Sequence, residues 1–192
     1  MKYGIKSITM DDVAREIGIS KKTLYQYVEN KNDLLNKVLD MEMEESECSM
    51  EKLDNSDINA IEALFIVLKF LNMITKEYSP SAIYDLKKYY PDLYSKMTLL
   101  RREKIYNRVI KNLNKGILEG FYRKDINEQL IAKIQVERME NAIDSDYLSI
   151  DELSAPEIFL EIFKYHIRGI ATEKGLKELD KEIEKLKTNN NN

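Results

Sequence analysis

At 192 residues, the chain is long enough for one domain, or for a small domain joined to a larger one. Its 43% apolar and 33% charged residues are typical of a soluble globular protein and exclude a disordered chain. The net charge is −4, and the 6 glycines and 3 prolines are too few for the turns of a many-stranded sheet. We therefore expect long helices.

Few side chains are suited to catalysis or metal binding. The single cysteine, Cys48, cannot close a disulfide within the chain, which favours a reducing cytoplasm. The longest apolar run, ALFIVL at 63–68, is too short to span a bilayer, so no membrane partner is expected. One histidine and one cysteine cannot supply a zinc site, and there is no Gly-rich phosphate loop. We expect no cofactor and no metal, and we interpret the protein as not an enzyme.

The first predicted element is a short helix in ITMDDVAREIG. Thr9 can cap this helix, and Asp12 at the third helical position completes a capping box. Three apolar residues share one face of the helix at helical spacing: Val13, Ala14 and Ile17. Gly18 then ends the helix.

A second short helix, KKTLYQYV, follows at once, with Ser20 as its cap. Leu24 and Val28 lie one turn apart and form its apolar stripe. Two short helices joined through a glycine turn predict a helix-turn-helix, with Val13, Ala14, Ile17, Leu24 and Val28 as its core.

The rest of the chain is predicted to be helical throughout. Asn30 or Asn32 caps a third helix, which becomes acidic beyond Asp40. Pro80 and Pro91 fit the first turns of two later helices. The predicted organisation is all-α, with a helix-turn-helix domain at 1–40, a helix end and acidic linker at 41–57, a helical domain at 58–178 and an amphipathic tail at 179–192.

The second short helix carries side chains that suit DNA. Because Leu24 and Val28 face inward, Lys21, Lys22, Thr23, Tyr25 and Tyr27 lie on its other faces. Lysines attract phosphate, and hydroxyls donate to phosphates and base edges. An ordinary solvated face is the alternative. Residues 1–40 hold seven basic against six acidic side chains, so the acid excess of the chain lies after them.

Residues 7–39, SITMDDVAREIGISKKTLYQYVENKNDLLNKVL, resemble the DNA-binding signature of the TetR-type one-component transcriptional regulators. The resemblance implies that Thr9 and Lys31 contact phosphate at the edges of the motif. It also implies that Ser20, Lys21, Lys22 and Thr23 form the start of the recognition helix, which lies at the DNA groove. Tyr25 and Tyr27 would contact the DNA backbone or base edges.

The resemblance further implies a homodimer, formed through two late helices at 126–144 and 156–171, whose broad apolar faces call for a partner. Such a dimer binds a near-palindromic operator in double-stranded DNA, with recognition helices about 34–36 Å apart. Family members begin with a further helix before this motif. The chain starts where that helix should end, so we expect additional residues upstream of Met1 in the native protein.

In this family a small molecule bound by the C-terminal domain releases the operator, so the expected function is a repressor of nearby genes. Aromatic and apolar side chains are candidates to line the effector site, with an ordinary core role as the alternative: Phe65, Phe70, Met73, Tyr84, Tyr89, Tyr90, Tyr94 and Tyr106. They favour an apolar or aromatic effector. We interpret His166 as a packed or interface residue. The alternative function is a helical ligand-binding or interaction protein with a vestigial or truncated DNA-binding motif.

Overall fold

The computed structural model describes residues 4–54, 57–77, 80–144 and 155–189. Side chains are described at all of these positions except 52–54, 71–77, 80, 141–144, 155–156 and 189. The described segments contain helices and no strand, which confirms the predicted all-α class. After a 3₁₀ turn at Ile5–Ser7 the helices are α1 Met10–Glu16, α2 Lys21–Leu24, α3 Lys31–Asp54, α4 Ala60–Glu77, α5 Pro80–Tyr89, α6 Pro91–Leu118, α7 Glu128–Asp144, α8 Ala155–Ile170 and α9 Glu173–Asn189.

The chain divides into two compact units. Unit 1 comprises Met1–Asn55 and Lys76–Leu100, and unit 2 comprises Ser56–Thr75 and Arg101–Asn192. The predicted limits do not coincide with this division, because residues 76–100 group with the N-terminal segment. The acidic segment after residue 40 is helical as far as Asp54. Leu179, placed at the start of the predicted tail, is fully buried in α9. The predicted limits of independently stable domains stay predictions.

The helix-turn-helix of unit 1 forms through local hydrogen bonds. The side chain of Thr9 accepts from the backbone N–H of Asp12, and the Asp12 side chain accepts from the backbone N–H of Thr9, which confirms the predicted capping box. Gly18 ends the turn with φ of 73°, a left-handed conformation that glycine adopts without steric cost. Ser20 accepts from the N–H of Thr23 and caps α2 as predicted. The motif buries one apolar cluster of four residues: Met10, Ala14, Leu24 and Val28.

Two details of this motif differ from the prediction. Ile17 was expected in the core, but it is 57% exposed, because α1 ends at Glu16 and the chain leaves helical spacing there. Ile19 packs against the cluster instead. The α-helical part of α2 is only Lys21–Leu24, since the N–H groups of Gln26 and Tyr27 bond three residues back rather than four.

Side chains at the start of α3 cap this helix and hydrogen-bond to the N-terminal segment of unit 1. The side chain of Asn30 accepts from the N–H of Asp33 at 3.0 Å, so Asn30 is the cap, one of the two predicted candidates. The ammonium of Lys31 donates to the backbone carbonyls of Ile5 and Ile8. Further along the same unit, α3, α5 and α6 share a second apolar cluster with three buried leucines: Leu39, Leu86 and Leu93.

Unit 2 contains the largest apolar cluster, which draws its buried residues from α4, α6, α7, α8 and α9 and from the segment after α6. Tyr122 is fully buried within it, and its hydroxyl donates to the Asn112 side-chain oxygen at 3.0 Å. The Asn112 amide in turn donates to the carbonyl of Ala60 at 2.7 Å. The Tyr122 ring lies where a side chain at Gly116 would be, so this close approach requires glycine.

Candidate functional site

The predicted DNA-contacting residues lie on α1, α2 and the start of α3, all within unit 1. Burial of Leu24 and Val28 turns the neighbouring residues outward. Lys22 and Tyr25 are exposed and Tyr27 is 70% exposed, whereas Thr23 is half-buried. The structure therefore brings basic and tyrosine side chains to the surface of the helix-turn-helix, as the sequence predicted.

Two of the predicted hydroxyls already have hydrogen-bond partners as helix caps. The Thr9 hydroxyl donates to the Asp12 carboxylate at 2.6 Å. This hydrogen bond, with the one from the Thr9 N–H, holds the pKa of Asp12 below its usual range. Ser20 Oγ accepts from the N–H of Thr23 at 3.0 Å and lies 2.8 Å from the Thr23 hydroxyl. These residues fix the geometry of the motif whether or not they also contact phosphate.

The three predicted lysines differ in their surroundings. Lys21 pairs with Asp11 of α1 at 2.7 Å, and this hydrogen bond raises the pKa of Lys21. Burial lowers the pKa of Lys31, whose ammonium donates to the carbonyls of Ile5 and Ile8. Within the described residues Lys22 has no ion-pair partner. Of the two lysines of α2, Lys22 is therefore the one whose charge no described carboxylate balances.

Lys37 is a positioning residue that the sequence analysis missed. Its ammonium donates to the backbone carbonyl of Tyr27 at 2.6 Å and to the Asp33 carboxylate at 3.0 Å. Asp33 also accepts from the N–H of Glu29 at 2.9 Å. These bonds connect α3 to the segment that carries Tyr27. The only sequence signal was the Asp33 and Lys37 pair four residues apart.

Comparison with known proteins agrees with this geometry. Residues 1–38 match the family model described as bacterial regulatory proteins, tetR family. The N-terminal segment is therefore a TetR-type helix-turn-helix domain. A curated relative, the uncharacterized HTH-type transcriptional regulator YvaF of Bacillus subtilis, is 24% identical over 168 residues, which cover 87% of each chain.

Solved structures show that the TetR-like fold extends over most of the chain. A transcriptional regulator from Cytophaga hutchinsonii superposes with a TM-score of 0.71 at 21% identity, covering 88% of this chain and 91% of that one. The regulator FadR of Bacillus subtilis, solved in complex with stearoyl-CoA, has a TM-score of 0.60 at 14% identity, with coverage of 87% and 91%. Both are similar to this chain in fold.

The structure divides the eight candidate effector residues between the two units. Phe65 lies in the core cluster of unit 2, where Phe70 and Tyr106 are half-buried; the side chain of Met73 lies outside the described residues. The other four are in unit 1, where Tyr90 and Tyr94 pack against the leucine cluster and Tyr84 is 56% exposed. Tyr89 and Tyr90 border a groove of about 450 Å³ lined by Asn32, Asn36, Tyr89, Tyr90, Pro91, Asp92, Leu93 and Lys96.

Gln135 on α7 is a second residue that the sequence analysis missed. It is fully buried, and among the described residues neither its amide nitrogen nor its amide oxygen has a hydrogen-bond partner. Burying an unpaired amide costs on the order of 1–3 kcal/mol, so such groups are uncommon without a ligand or an ordered water. No local sequence pattern marks this glutamine, because only tertiary packing buries it.

His166 is buried, with 6% of its surface exposed, in agreement with the interpretation of a packed residue. Burial, with a smaller contribution from nearby Arg138, lowers the pKa of His166 to about 4. The imidazole is therefore neutral near pH 7.

One group of acidic residues has the geometry of a cation site. The carboxylates of Glu62, Glu178 and Glu182 lie within 4.8 Å of one another. Lys185 pairs with Glu62 and Glu182, and Lys181 pairs with Glu178, so lysines already balance these charges.

Among the helices described here, none is long and apolar enough to cross a membrane.

Proposed function

We propose that the protein is a homodimeric, ligand-responsive repressor that binds a near-palindromic operator close to its own gene. The carrying observation is the exposed surface of the helix-turn-helix, where Lys22, Tyr25 and Tyr27 face away from the buried cluster. The match of residues 1–38 to the TetR family supports the same role for this surface.

The proposed DNA contacts fall into two groups. Ser20, Lys21, Lys22 and Thr23 form the start of the recognition helix at the groove, and Tyr25 and Tyr27 contact the DNA backbone or base edges. Thr9 and Lys31 contact phosphate at the edges of the motif. Because Lys21 and Lys31 already have partners within the chain, Lys22 is the lysine that gains most from phosphate.

The proposed dimer forms through α7 and α8, close to the predicted ranges 126–144 and 156–171. On α7, Leu130 and Ile134 are exposed one turn apart. On α8, Tyr165 is 74% exposed. A side chain added at Gly169, four residues further on, would meet nothing, which leaves room for the close approach of a second helix. Exposed apolar residues of this kind are typical of an interface between copies.

The proposed effector is an apolar or aromatic molecule that also carries a hydrogen-bonding group. Gln135 offers an unpaired donor and an unpaired acceptor inside unit 2, where such a group would find both partners. FadR, similar in fold, was solved with stearoyl-CoA, in which an apolar acyl chain is joined to a polar coenzyme A group. Release of the operator requires that the effector bind the DNA-free conformation more tightly than the DNA-bound one.

The alternative is a helical ligand-binding or interaction protein whose motif no longer binds DNA. The observation in its favour is that two of the three predicted lysines, Lys21 and Lys31, are already engaged within the chain. A DNA titration at several salt concentrations separates the two functions.

The test is fluorescence anisotropy of the full chain with double-stranded DNA from the region beside its own gene. For the repressor, affinity falls with salt with a log–log slope of about −0.9 per neutralised phosphate. Lys22→Ala makes that slope shallower by about 2, because each of the two protomers loses one phosphate contact. Lys177→Ala, which removes an exposed lysine of α9, is the control and leaves the slope unchanged.

Salt-insensitive or absent binding of the wild-type chain to that DNA and to a genome-wide fragment library would favour the alternative. Equal effects of Lys22→Ala and Lys177→Ala would contradict the proposed recognition surface while leaving DNA binding itself intact.

A further inference from the structure

A patch of lysine and tyrosine side chains lies on unit 1 outside the helix-turn-helix. The ammonium of Lys6 lies 4.0 Å from the centre of the Tyr89 ring. The ammonium of Lys88 lies 5.5 Å from the same ring and 5.2 Å from that of Tyr84, and it donates to the Tyr84 hydroxyl at 2.8 Å. These four exposed residues, Lys6, Tyr84, Lys88 and Tyr89, form a lysine–tyrosine patch.

The patch keeps its positive charge. Across the residues described, no carboxylate pairs with the ammonium groups of Lys6 or Lys88, which lie over aromatic rings instead. A ring orders an ammonium but does not neutralise it. The nearby acid, Asp85, accepts from the backbone N–H of Lys6 at 2.8 Å and so anchors the segment that carries the lysine. The chain as a whole has a net charge of −4, so a cationic surface here is not a general property of the protein.

The patch is continuous with the proposed DNA contacts. Lys6 lies in the 3₁₀ turn, and Lys31, a proposed phosphate contact, donates to the carbonyls of Ile5 and Ile8 on either side of it. Thr9, the other proposed edge contact, directly follows Ile8. The bond from the Lys6 N–H to Asp85 then joins this turn to α5, which carries the other three residues. An unbroken series of contacts therefore leads from the edge of the motif to the patch.

We infer that the lysine–tyrosine patch is a second DNA contact, which binds phosphates flanking the base pairs that the helix-turn-helix reads. The inference rests on the proposed function, since it places the patch beside a bound operator. The two ammonium groups attract phosphate oxygens, and the exposed tyrosine hydroxyls can donate hydrogen bonds to them. Contacts of this kind carry no sequence information, so the patch adds affinity for any flanking sequence.

The test compares the full chain with the double variant Lys6→Gln/Lys88→Gln on two duplexes. One duplex contains only the operator, and the other carries about ten further base pairs on each side. On the long duplex we expect the variant to bind about tenfold more weakly and to show a salt slope shallower by about 4, because each protomer of the dimer loses two phosphate contacts. On the short duplex the two proteins should differ much less.

Two further variants make the result specific. Lys124→Gln/Lys177→Gln removes the same charge from exposed lysines of unit 2, and we expect it to leave the difference between the duplexes unchanged. Lys6→Arg/Lys88→Arg keeps both charges and their stacking on tyrosine, and we expect it to retain the wild-type slope. Circular dichroism checks that each variant is folded.

The inference is overturned if the wild-type chain binds both duplexes and the Gln variant has the same slope as wild type on the long one. If that variant instead changes the sedimentation of the DNA-free protein while the slope stays constant, the patch is a protein contact and the inference is again wrong. A wild-type chain that binds neither duplex contradicts the proposed function itself, which distinguishes that failure from the other two.

Discussion

The helix-turn-helix of unit 1 and the helical core of unit 2 are stabilised in different ways. Among the described residues, the helix-turn-helix cluster contains four buried residues, whereas the cluster in unit 2 contains fourteen. Around the smaller cluster, the fold depends on the capping box at Thr9, the glycine turn at Gly18 and the cap at Ser20. A small core supplies little apolar burial, so caps and turns account for a larger share of its stability. The candidate DNA surface therefore depends mainly on local hydrogen bonds, whereas unit 2 depends mainly on apolar packing.

The largest expected effect is in the core of unit 2. Ile167→Ala removes a fully buried side chain from the larger cluster, and we expect a loss of about 3–4 kcal/mol in the free energy of unfolding. Glu161→Ala, on the exposed side of the same helix, is the matched control and should change the stability by less than about 0.5 kcal/mol. Urea unfolding measures both. A loss below about 1 kcal/mol for Ile167→Ala would show that packing does not dominate unit 2.

We expect an intermediate loss of folding stability when the pH is lowered, because His166 is buried in unit 2 as a neutral imidazole. Its pKa is lowered from 6.5 to about 4, so as the pH falls below 6.5 the unfolded chain takes up a proton that the folded chain does not. Stability therefore decreases with falling pH and continues to decrease until about pH 4. Between pH 7.5 and 5 we expect a loss of about 2 kcal/mol.

Urea unfolding at pH 7.5, 6 and 5 measures this loss, with His166→Gln as the variant that should flatten the profile. The depressed pKa values of Asp12, Asp33 and Glu178 act in a lower range, because those carboxylates lose their contribution only as the pH falls through and below 3.8–4.5. An equally steep profile in His166→Gln would assign the pH dependence to other groups.

The parts of the fold that the sequence predicted well are those fixed by neighbouring residues. Thr9 and Asp12 are three residues apart, as are Ser20 and Thr23, so their caps follow from local chemistry. Pro80 and Pro91 lie in the first turns of α5 and α6, as predicted, because a proline at the first helical position loses no helical hydrogen bond. The predicted core position of Ile17 was wrong. Helical spacing was extended one residue beyond the end of α1, where the glycine turn already changes the direction of the chain.

The candidate site was predictable in residue type but not in arrangement. The exposed lysine and tyrosines of α2 follow from the two inward positions, Leu24 and Val28. In contrast, Lys31 reaches carbonyls 23 and 26 residues away, and Lys6 reaches the ring of Tyr89, which no local pattern encodes. The effector candidates were selected by composition alone, and composition cannot tell the core residue Phe65 from the surface residue Tyr84.

The smallest expected effect tests the local stabilisation of the helix-turn-helix. Thr9→Ala removes the hydroxyl that accepts from the N–H of Asp12, and we expect a loss of about 1 kcal/mol. Native-state hydrogen exchange should show this as about fivefold faster exchange of amides in α1, with the amides of α8 unchanged. Thr9→Ser retains the capping hydroxyl and should keep nearly wild-type protection. If Thr9→Ser exchanged as fast as Thr9→Ala, the methyl group rather than the cap would stabilise the motif. If α8 responded equally, the two regions would unfold together and the contrast between local bonds and packing would not describe their stability.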